Sequence, residues 1–465
     1  MDRRKPLQEW SVETDIVVVG AGACGTAAAL AAADRGLNIL LLEKTRRVEG
    51  NTALSQGMVP AAGTRFQQEA GVKDTPEAMA EDIFRQNSYE SDPELSLFLC
   101  RESKALVEWL VDRVGVDLRL ITDFNYTGFS QFRIHAPPTR TGRELLAQMQ
   151  AATSQRSNIQ LVTECPVRFL LTDEAGNISG VVAGVTSEER VKCRKVILAC
   201  NGFGANREML ERYCPEIAHA LYFNHPGNTG EGILWGMELG AAVEHMDAYQ
   251  AHASIAASQG LLVTWAVILN GGIQVNKEGK RFGNETRKSY SEYAQRVLRQ
   301  SEGIAYDIFE EKTYQAVLAG FEEFRQLVET GAVKRADSIK GLAQVLGLDA
   351  SNLKSTTKAY NAARLAGMDE FERTTFGNEL RPPLYGVQVT AALLHTQGGL
   401  KINTRAQVLR PDGSVLPNLY AGGGVAVGIS GSGADGYLAG NGLLAALGWG
   451  KVAGEDAANS ILSSS

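Results

Sequence analysis

The sequence predicts an α/β fold with a parallel main sheet, and three observations carry that prediction. Residues 16–19 (IVVV) are an unbroken β-branched run suited to a strand buried on both faces. Residues 27–35 are an alanine-rich helical stretch, and residues 38–42 (NILLL) are a second buried strand. Strand, helix and strand at this spacing make a βαβ unit, whose two parallel strands must be joined by a right-handed crossover. Farther along, residues 75–114 interleave charged and apolar positions and read as largely helical. Residues 159–196 change to short alternating runs, IQLVTE, VRFLLTDEAGNISGVVAGV and KVILAC, with a turn signal at 174–177. They predict an antiparallel hairpin or meander, then a strand returning to the main sheet. Residues 243–381 hold two strand-like pieces, 272–276 and the following KRF, and then a charged helical run over 291–360. Residues 384–453 return to strands and glycine-rich turns and end in a helix from Leu443. No internal repeat stands out.

The 465 residues are enough for two or three domains, and 44% hydrophobic residues are enough to fill a large core. Glycine supplies 49 positions, about one in ten, while proline supplies only 13. That composition excludes a collagen-like or low-complexity chain and leaves the glycines needing a local reason. The net charge of −7 is spread without blocks, so no basic face is expected for nucleic acid. The six cysteines include no CxxC pair and no zinc spacing, and read as reduced residues of a cytoplasmic protein. Arg3, Arg4 and Lys5 followed by the uncharged stretch 16–33 superficially resemble an export signal. Gly20, Gly22, Gly25 and the alanine-rich makeup argue against it, and no other apolar run predicts a membrane span.

Gly20, Gly22 and Gly25 form GxGxxG between the first strand and the helix, with Ala23 inside the motif. The first glycine allows the tight turn, the second lets backbone approach a pyrophosphate, and the third lets helix pack on strand. The helix N-terminus offers free N–H groups and partial positive charge to the phosphates. Glu43, at the end of the second strand and next to Lys44, is placed to accept from a ribose and would repel a 2′-phosphate. This Rossmann-like register leaves FAD or NAD as the ligand. The following TRRVEGNTALSQGMVPAAG separates them: Asn51, Thr52, Ser55 and Gly57 suit backbone running along a long cofactor. Near the other end, NLYAGGGVAVGISGSGADGYLAGNGLLAALGWGKVAG puts glycines before a helix whose N-terminus can face a flavin ring. Two separated glycine-rich elements and no second GxGxxG unit favour FAD.

The ordered motifs VVGAGACG, EGNTALSQG, VILACNGFGANREM, HPGNTGEG, YQAHAS, GGIQVNKEGKRFGNE, AYNAARLAGMDEFER, LLHTQGGLKIN and LYAGGGVAVGISGSGADGYLAGNGL span nearly the whole chain. As a set they resemble the flavoprotein subunits of succinate dehydrogenase and fumarate reductase and their relatives the 3-ketosteroid dehydrogenases, urocanate reductase and tricarballylate dehydrogenase. The resemblance implies an α/β, Rossmann-like FAD-binding domain, parallel sheet plus antiparallel meander, built from residues 1–245 and 386–465. An α+β capping domain, residues 246–385, interrupts it. By the same resemblance Glu231 touches the cofactor, Val167 gives a backbone contact at the adenine, and Gly442 and Leu443 are backbone donors to the flavin. Ala199, Gly202 and Gly423 complete the cofactor set. The histidine that binds flavin covalently in some relatives has no counterpart, because Asn51 and Thr52 stand there, so the expected FAD is non-covalent.

On the substrate side, His252, His395 and Thr264 match residues that hold a dicarboxylate in that family. The family's acid–base arginine falls on Ser289, followed by Tyr290, with Arg287 and Tyr293 as alternatives within the loop. Its carboxylate-clamping arginine falls on Tyr437, and its relay glutamate and arginine on Trp265 and Ile268. Losing two bidentate, permanently charged partners removes the complement for a C4 dicarboxylate. Tyrosines at these places resemble the ketosteroid dehydrogenases. The expected activity is therefore α,β-dehydrogenation of a small-molecule carbonyl compound, cyclic or steroid-like, with hydride passing to flavin N5. A tyrosine acting as base needs a site that lowers its pKa from about 10. Two alternatives stay open: oxidation or reduction of an unsaturated or tricarboxylic acid, and a flavin-binding protein without catalysis. Tyr126 and His135 stand between pocket-lining and structural roles, and His219, His225 and His245 are expected to be structural or exposed. No metal site is expected, and no haem, redox-centre or nicotinamide motif identifies an electron acceptor.

Overall fold

The computed structural model describes residues 10–185 and 188–464. The cationic N-terminal residues Arg3, Arg4 and Lys5 lie outside the described residues. Strand β1 (Val12–Val19) runs into helix α1 (Ala23–Ala33) and back through β2 (Ile39–Leu42). β1 and β2 pair in parallel, Ile16 opposite Ile39 and Val19 opposite Leu42. Every residue of β2 and the last four of β1 are buried, as continuous apolar strands covered on both faces require.

The sheet continues on both sides of this unit. β3 (Ile159–Val162) pairs in parallel with β2, so IQLV extends the main sheet and is not part of the meander. The meander is β4 (Val167–Thr172), β5 (Ile178–Ala183) and β6 (Glu189–Leu198), joined antiparallel; β6 then lies parallel beside β1. A strand from the far end of the chain, Val415–Ala421, closes onto β6 in parallel. The last helix, Asn441–Leu462, packs on α1. A Cβ at Gly450 or Gly454 would overlap the carbonyl oxygens of Cys24 or Ala28, so these glycines serve close helix packing and not a cofactor.

A second sheet is built from residues 221–396 around the long strand Leu384–Thr396. Tyr249–Ala256 and Ile304–Glu310 flank that strand antiparallel. The expected helical run over 291–360 is interrupted by Ile304–Glu310 and by Lys334–Ala336, both strands. IAYDIFE reads as partly polar, yet all but its first residue are buried. Its Asp307 side chain accepts from Gln274 Nε2 at 2.7 Å, which lets a strand carry an acid in the core. The KRF segment is a loop and not a strand: Arg281 there pairs with Glu285 and Asp369.

Two further features position the site. Helix Tyr290–Leu298 packs against strand Tyr249–Ala256. The loop carrying Tyr126 is pinned by Arg133, which is fully buried and pairs with Asp74 (2.7 Å) and with Asp82, while Asp82 accepts from Ser130 N–H at 2.7 Å. Removing one partner of such a pair leaves a buried charge, at a cost of about 3–5 kcal/mol. Among the described residues no helix is long and apolar enough to cross a membrane.

Candidate functional site

A cavity of about 450 Å³ runs from the edge of the main sheet to the inner face of the second sheet. Its nucleotide end is made largely of backbone. Gly20, with φ +99°, turns the chain out of β1, and a Cβ there would meet the Ala199 carbonyl. Gly22 caps α1, and a Cβ on it would find nothing nearer than Thr52 Oγ1 at 3.7 Å, so its face toward the cavity is open. Thr52 Oγ1 accepts from Ala23 N–H at 3.0 Å and secures the first turn of the helix. Glu43 accepts from Ala21 N–H (3.1 Å) and from Thr45 N–H and Oγ1 (2.9 and 2.8 Å). The carboxylate therefore shapes the glycine turn and keeps capacity for another donor. Lys44 Nζ reaches Glu231 Oε1 at 2.8 Å and Thr229 Oγ1 at 3.1 Å.

Of the cofactor-side residues expected from sequence, Gly20, Gly22, Ala23, Glu43, Lys44 and Asn51 line the cavity. So do Thr52, Ser55, Val167, Ala199 and Glu231, and from the C-terminal segment Gly423, Gly442 and Leu443. Gly25, Gly57 and Gly202 do not. A Cβ would overlap the Gly20 carbonyl from Gly25 and Thr396 Oγ1 from Gly202, and would come within 2.7 Å of the Thr141 carbonyl from Gly57. These three glycines hold chain against chain. His225, expected to be structural or exposed, lines the cavity, its Nδ1 accepting from Gly227 N–H at 3.1 Å.

The substrate end is built from side chains. Tyr290, Tyr437, His252 and His395 all line it, joined by Tyr126. Tyr290 is the hub: its ring centroid lies 4.6 Å from His252, 6.1 Å from Tyr437 and 6.2 Å from Tyr126. Thr264 and Ser289 do not line this cavity and lie just ahead of helix starts, though Ser289 borders a small adjoining pocket with Tyr126 and Tyr290. Ser289 caps Tyr290–Leu298 through Glu292 N–H, and Thr264 Oγ1 accepts from Ala266 N–H. Arg287 is exposed and Tyr293 is buried away from the cavity, so the helix start singles out Tyr290 from the alternatives in that loop. Trp265 and Ile268, in the relay positions, are buried apolar core. His135 is a buried structural residue, held by Thr64 Oγ1 and the Arg133 carbonyl.

Burial, with Tyr437 and Tyr126 alongside, raises the Tyr290 phenol well above its ordinary value, and burial pushes Tyr437 up to about 12. The protein alone does not supply the lowering that a tyrosine base requires: among the described residues no lining cation stands among the phenols. Burial also pushes His252 down to about 3 and His395 down to about 4, so both imidazoles are neutral at physiological pH. The cations of the lining, Lys44 and Arg168, sit with Glu231 and Val167 toward the nucleotide end.

Sequence reasoning left Tyr126 undecided and missed Gln56 and Gln250. Gln56 Oε1 accepts from Tyr126 Oη at 3.1 Å, and Gln250 Nε2 donates to Tyr290 Oη at 3.1 Å. The signal that could have found them was their place inside the NTALSQG and YQAHAS motifs.

The cavity fits FAD on its own terms. The open face of Gly22 admits a pyrophosphate, and Asn51 Nδ2, Gln56 Nε2 and Glu231 Oε2 are buried atoms of lining residues with no hydrogen-bond partner among the described residues.

Residues 15–443 match the family described as the FAD binding domain. The chain is 33% identical over 451 residues to a fumarate reductase (cytochrome) of Shewanella frigidimarina, covering 96% of this chain and 77% of the relative. It is 30% identical over 424 residues to a urocanate reductase of Eggerthella lenta, covering 89% and 70%. Among solved structures it is similar to a 3-ketosteroid-Δ4-(5α)-dehydrogenase from Rhodococcus jostii RHA1 in complex with 4-androstene-3,17-dione. That likeness has a TM-score of 0.77 and 26% identity over 97% of this chain and 98% of the other. The glycine turn, the long cavity and these matches agree: the chain belongs to the FAD binding domain family and is an FAD-dependent oxidoreductase of the fumarate reductase and ketosteroid dehydrogenase type, acting on CH–CH bonds.

Proposed function

We propose that this enzyme desaturates the CH–CH bond α,β to the carbonyl of a neutral, ketone-type, cyclic substrate. The observation that carries this reading is the makeup of the substrate end: three phenols and two neutral imidazoles, with the lining cations at the other end. Such a surface donates hydrogen bonds to a carbonyl and offers no charge to a carboxylate. In this reading residues 246–385 are the cap, and residues 1–245 and 386–465 bind FAD non-covalently.

The Tyr437 hydroxyl, at the N-terminus of helix Asn441–Leu462, donates to the carbonyl oxygen and acidifies the α-hydrogen. Tyr290, when ionised, takes that hydrogen as a proton. The α C–H bond breaks, an O–H bond forms on Tyr290, and the electron pair moves onto the carbonyl oxygen beside Tyr437. As the β C–H bond breaks and its hydride leaves, that pair returns from oxygen to close the Cα=Cβ double bond; FAD, when bound, would supply the hydride acceptor. Tyr126 borders Tyr290 and is held in place by Gln56.

The acid reading draws support from the names of the relatives and from His252 and His395. Neutral imidazoles would hold an acid by hydrogen bonds alone, without the charge that a carboxylate leaving water requires. Anaerobic mixing with a panel of cyclic ketones is expected to bleach the flavin. No bleaching by any ketone, alongside rapid fumarate turnover by the reduced enzyme, overturns the proposal. Acid precipitation is expected to release the FAD from the protein.

A further inference from the structure

Strand Tyr249–Ala256 does not pair regularly with Leu384–Thr396. Its register shifts between Gln250 and Ala251 and again between His252 and Ile255. Such irregularities next to an active site re-aim side chains and free backbone groups from the ladder. Here helix Tyr290–Leu298 takes up the freed backbone, Ala251 N–H donating to Ser291 Oγ at 3.0 Å, and beside it the Gln250 side chain donates from Nε2 to Tyr290 Oη at 3.1 Å. Gln250 is 7% exposed, Tyr290 8% and Ser291 0%. Two adjacent strand residues thus grip two adjacent helix residues, and the grip ends on the phenol oxygen.

We propose that Gln250 is the positioning residue of the proton-transfer step, holding the Tyr290 oxygen in place and stabilising its ionised form through the Nε2–H donor. This rests on the reading of Tyr290 as the proton acceptor. The rings facing Tyr290 are Tyr126, Tyr437, His252 and Trp265, and among the described residues none of these ring neighbours brings a positive charge. Nearby Lys288 is engaged with Asp435 at 3.0 Å. A phenolate in that company depends on hydrogen-bond donors, and the amide of Gln250 is a fixed one that cannot itself ionise. With one lone pair of the Tyr290 oxygen occupied by the amide, the remaining directions face Tyr437 and the cavity.

The test places 3,5-difluorotyrosine at position 290 by amber suppression, because its phenol ionises near neutral pH and is read by absorbance. Gln250→Met, which keeps length and removes the donor, is expected to raise the ionisation midpoint of the label by about one pH unit, tenfold in proton affinity. Gln250→Glu, which keeps shape and replaces the donor with an acceptor, is expected to raise it further. Both variants are expected to retain bound FAD and the native circular dichroism spectrum. A midpoint unchanged in both folded variants overturns the proposal. The titration needs no substrate, so its result is separate from that of the ketone panel: failure to bleach alongside rapid fumarate turnover removes the ketone reading, and an unmoved midpoint removes the role of Gln250.

Discussion

The two ends of the cavity are built on opposite plans. At the nucleotide end, backbone comes close because Gly20 and Gly22 lack side chains, and the charged residues there are paired or tied into turns. At the substrate end, Tyr126, Tyr290, Tyr437, His252 and His395 converge from five separate stretches of chain, and neutral polar groups meet aromatic faces. The difference teaches where specificity resides. A backbone cradle fits any chain with this turn, whereas the side-chain end selects the compound that reacts.

The strongest way to break this contrast is to give the glycine turn side chains. Gly25→Ala puts a Cβ into the Gly20 carbonyl, and is expected to destabilise the protein by more than about 4 kcal/mol and to abolish FAD binding. Gly22→Ala is the control, since its Cβ points into open space. Apoprotein stability is expected to stay within about 1 kcal/mol, while FAD affinity falls about ten- to a hundredfold. Thermal melting with and without added FAD separates the two. Equal losses from both variants would mean that Gly22 serves packing and not the cofactor.

At the other end, Tyr437→Phe is expected to lower kcat about 10²–10³-fold and Tyr290→Phe about 10²–10⁴-fold, with FAD content unchanged in both. Because burial raises the Tyr290 phenol, its ionised fraction grows tenfold per pH unit below its pKa. Flavin bleaching by ketone is therefore expected to climb with pH through the whole range below the ordinary phenol value. A plateau near neutral pH would assign the proton to another group.

The same contrast explains what the sequence could show. Gly20, Gly22, Gly25 and Glu43 lie within one βαβ unit, so their spacing reports their geometry. The turn also narrowed the cofactor to FAD or NAD, and the two further glycine-rich segments favoured FAD. The packing role read for Gly25 is what its overlap with the Gly20 carbonyl shows, but no local spacing could show that Gly202 presses on Thr396, a neighbour 194 residues away set by tertiary packing. Tyr126 and Gln250 reach Tyr290 through contacts spanning 164 and 40 residues of sequence, which no local period records. Ser289 and Tyr290 were adjacent candidates, and only the start of the helix, with Ser289 spent on its cap, decides between them. Ile304–Glu310 hid as a strand because its buried Asp307 mimics a polar helical position.

A smaller effect probes the neutrality of the substrate end. In the unfolded chain His252 takes a proton below about pH 6.5, whereas in the folded protein burial delays this to about pH 3. The unfolded state thus binds more protons between those values, so the stability contributed by neutral burial is present above pH 6.5 and lost as pH falls toward 3. Comparing wild type with His252→Gln cancels the other titrating groups. The difference in unfolding free energy between the two proteins is expected to shift by about 2 kcal/mol against wild type on going from pH 8 to pH 5. No shift would mean that His252 titrates in the fold as it does in the unfolded chain, and a shift of opposite sign that the fold favours its charged form; the latter would return an anionic substrate to consideration.

The smallest effect is expected where the nucleotide end does carry charge. Lys44 and Glu231 form a 2.8 Å ion pair, with side chains 29% and 37% exposed. Water and salt screen such a pair, so Glu231→Gln is expected to cost less than about 1 kcal/mol of stability, and less at high ionic strength. If backbone approach provides most of the binding, FAD affinity in this variant falls less than tenfold, read by flavin fluorescence on titration of the apoprotein. The unpartnered Glu231 Oε2 offers the opposite outcome. A loss well beyond tenfold, insensitive to salt, would mean that this oxygen accepts directly from the cofactor in a site shielded from water. The nucleotide end would then rely on a side chain as firmly as the substrate end does on Tyr290.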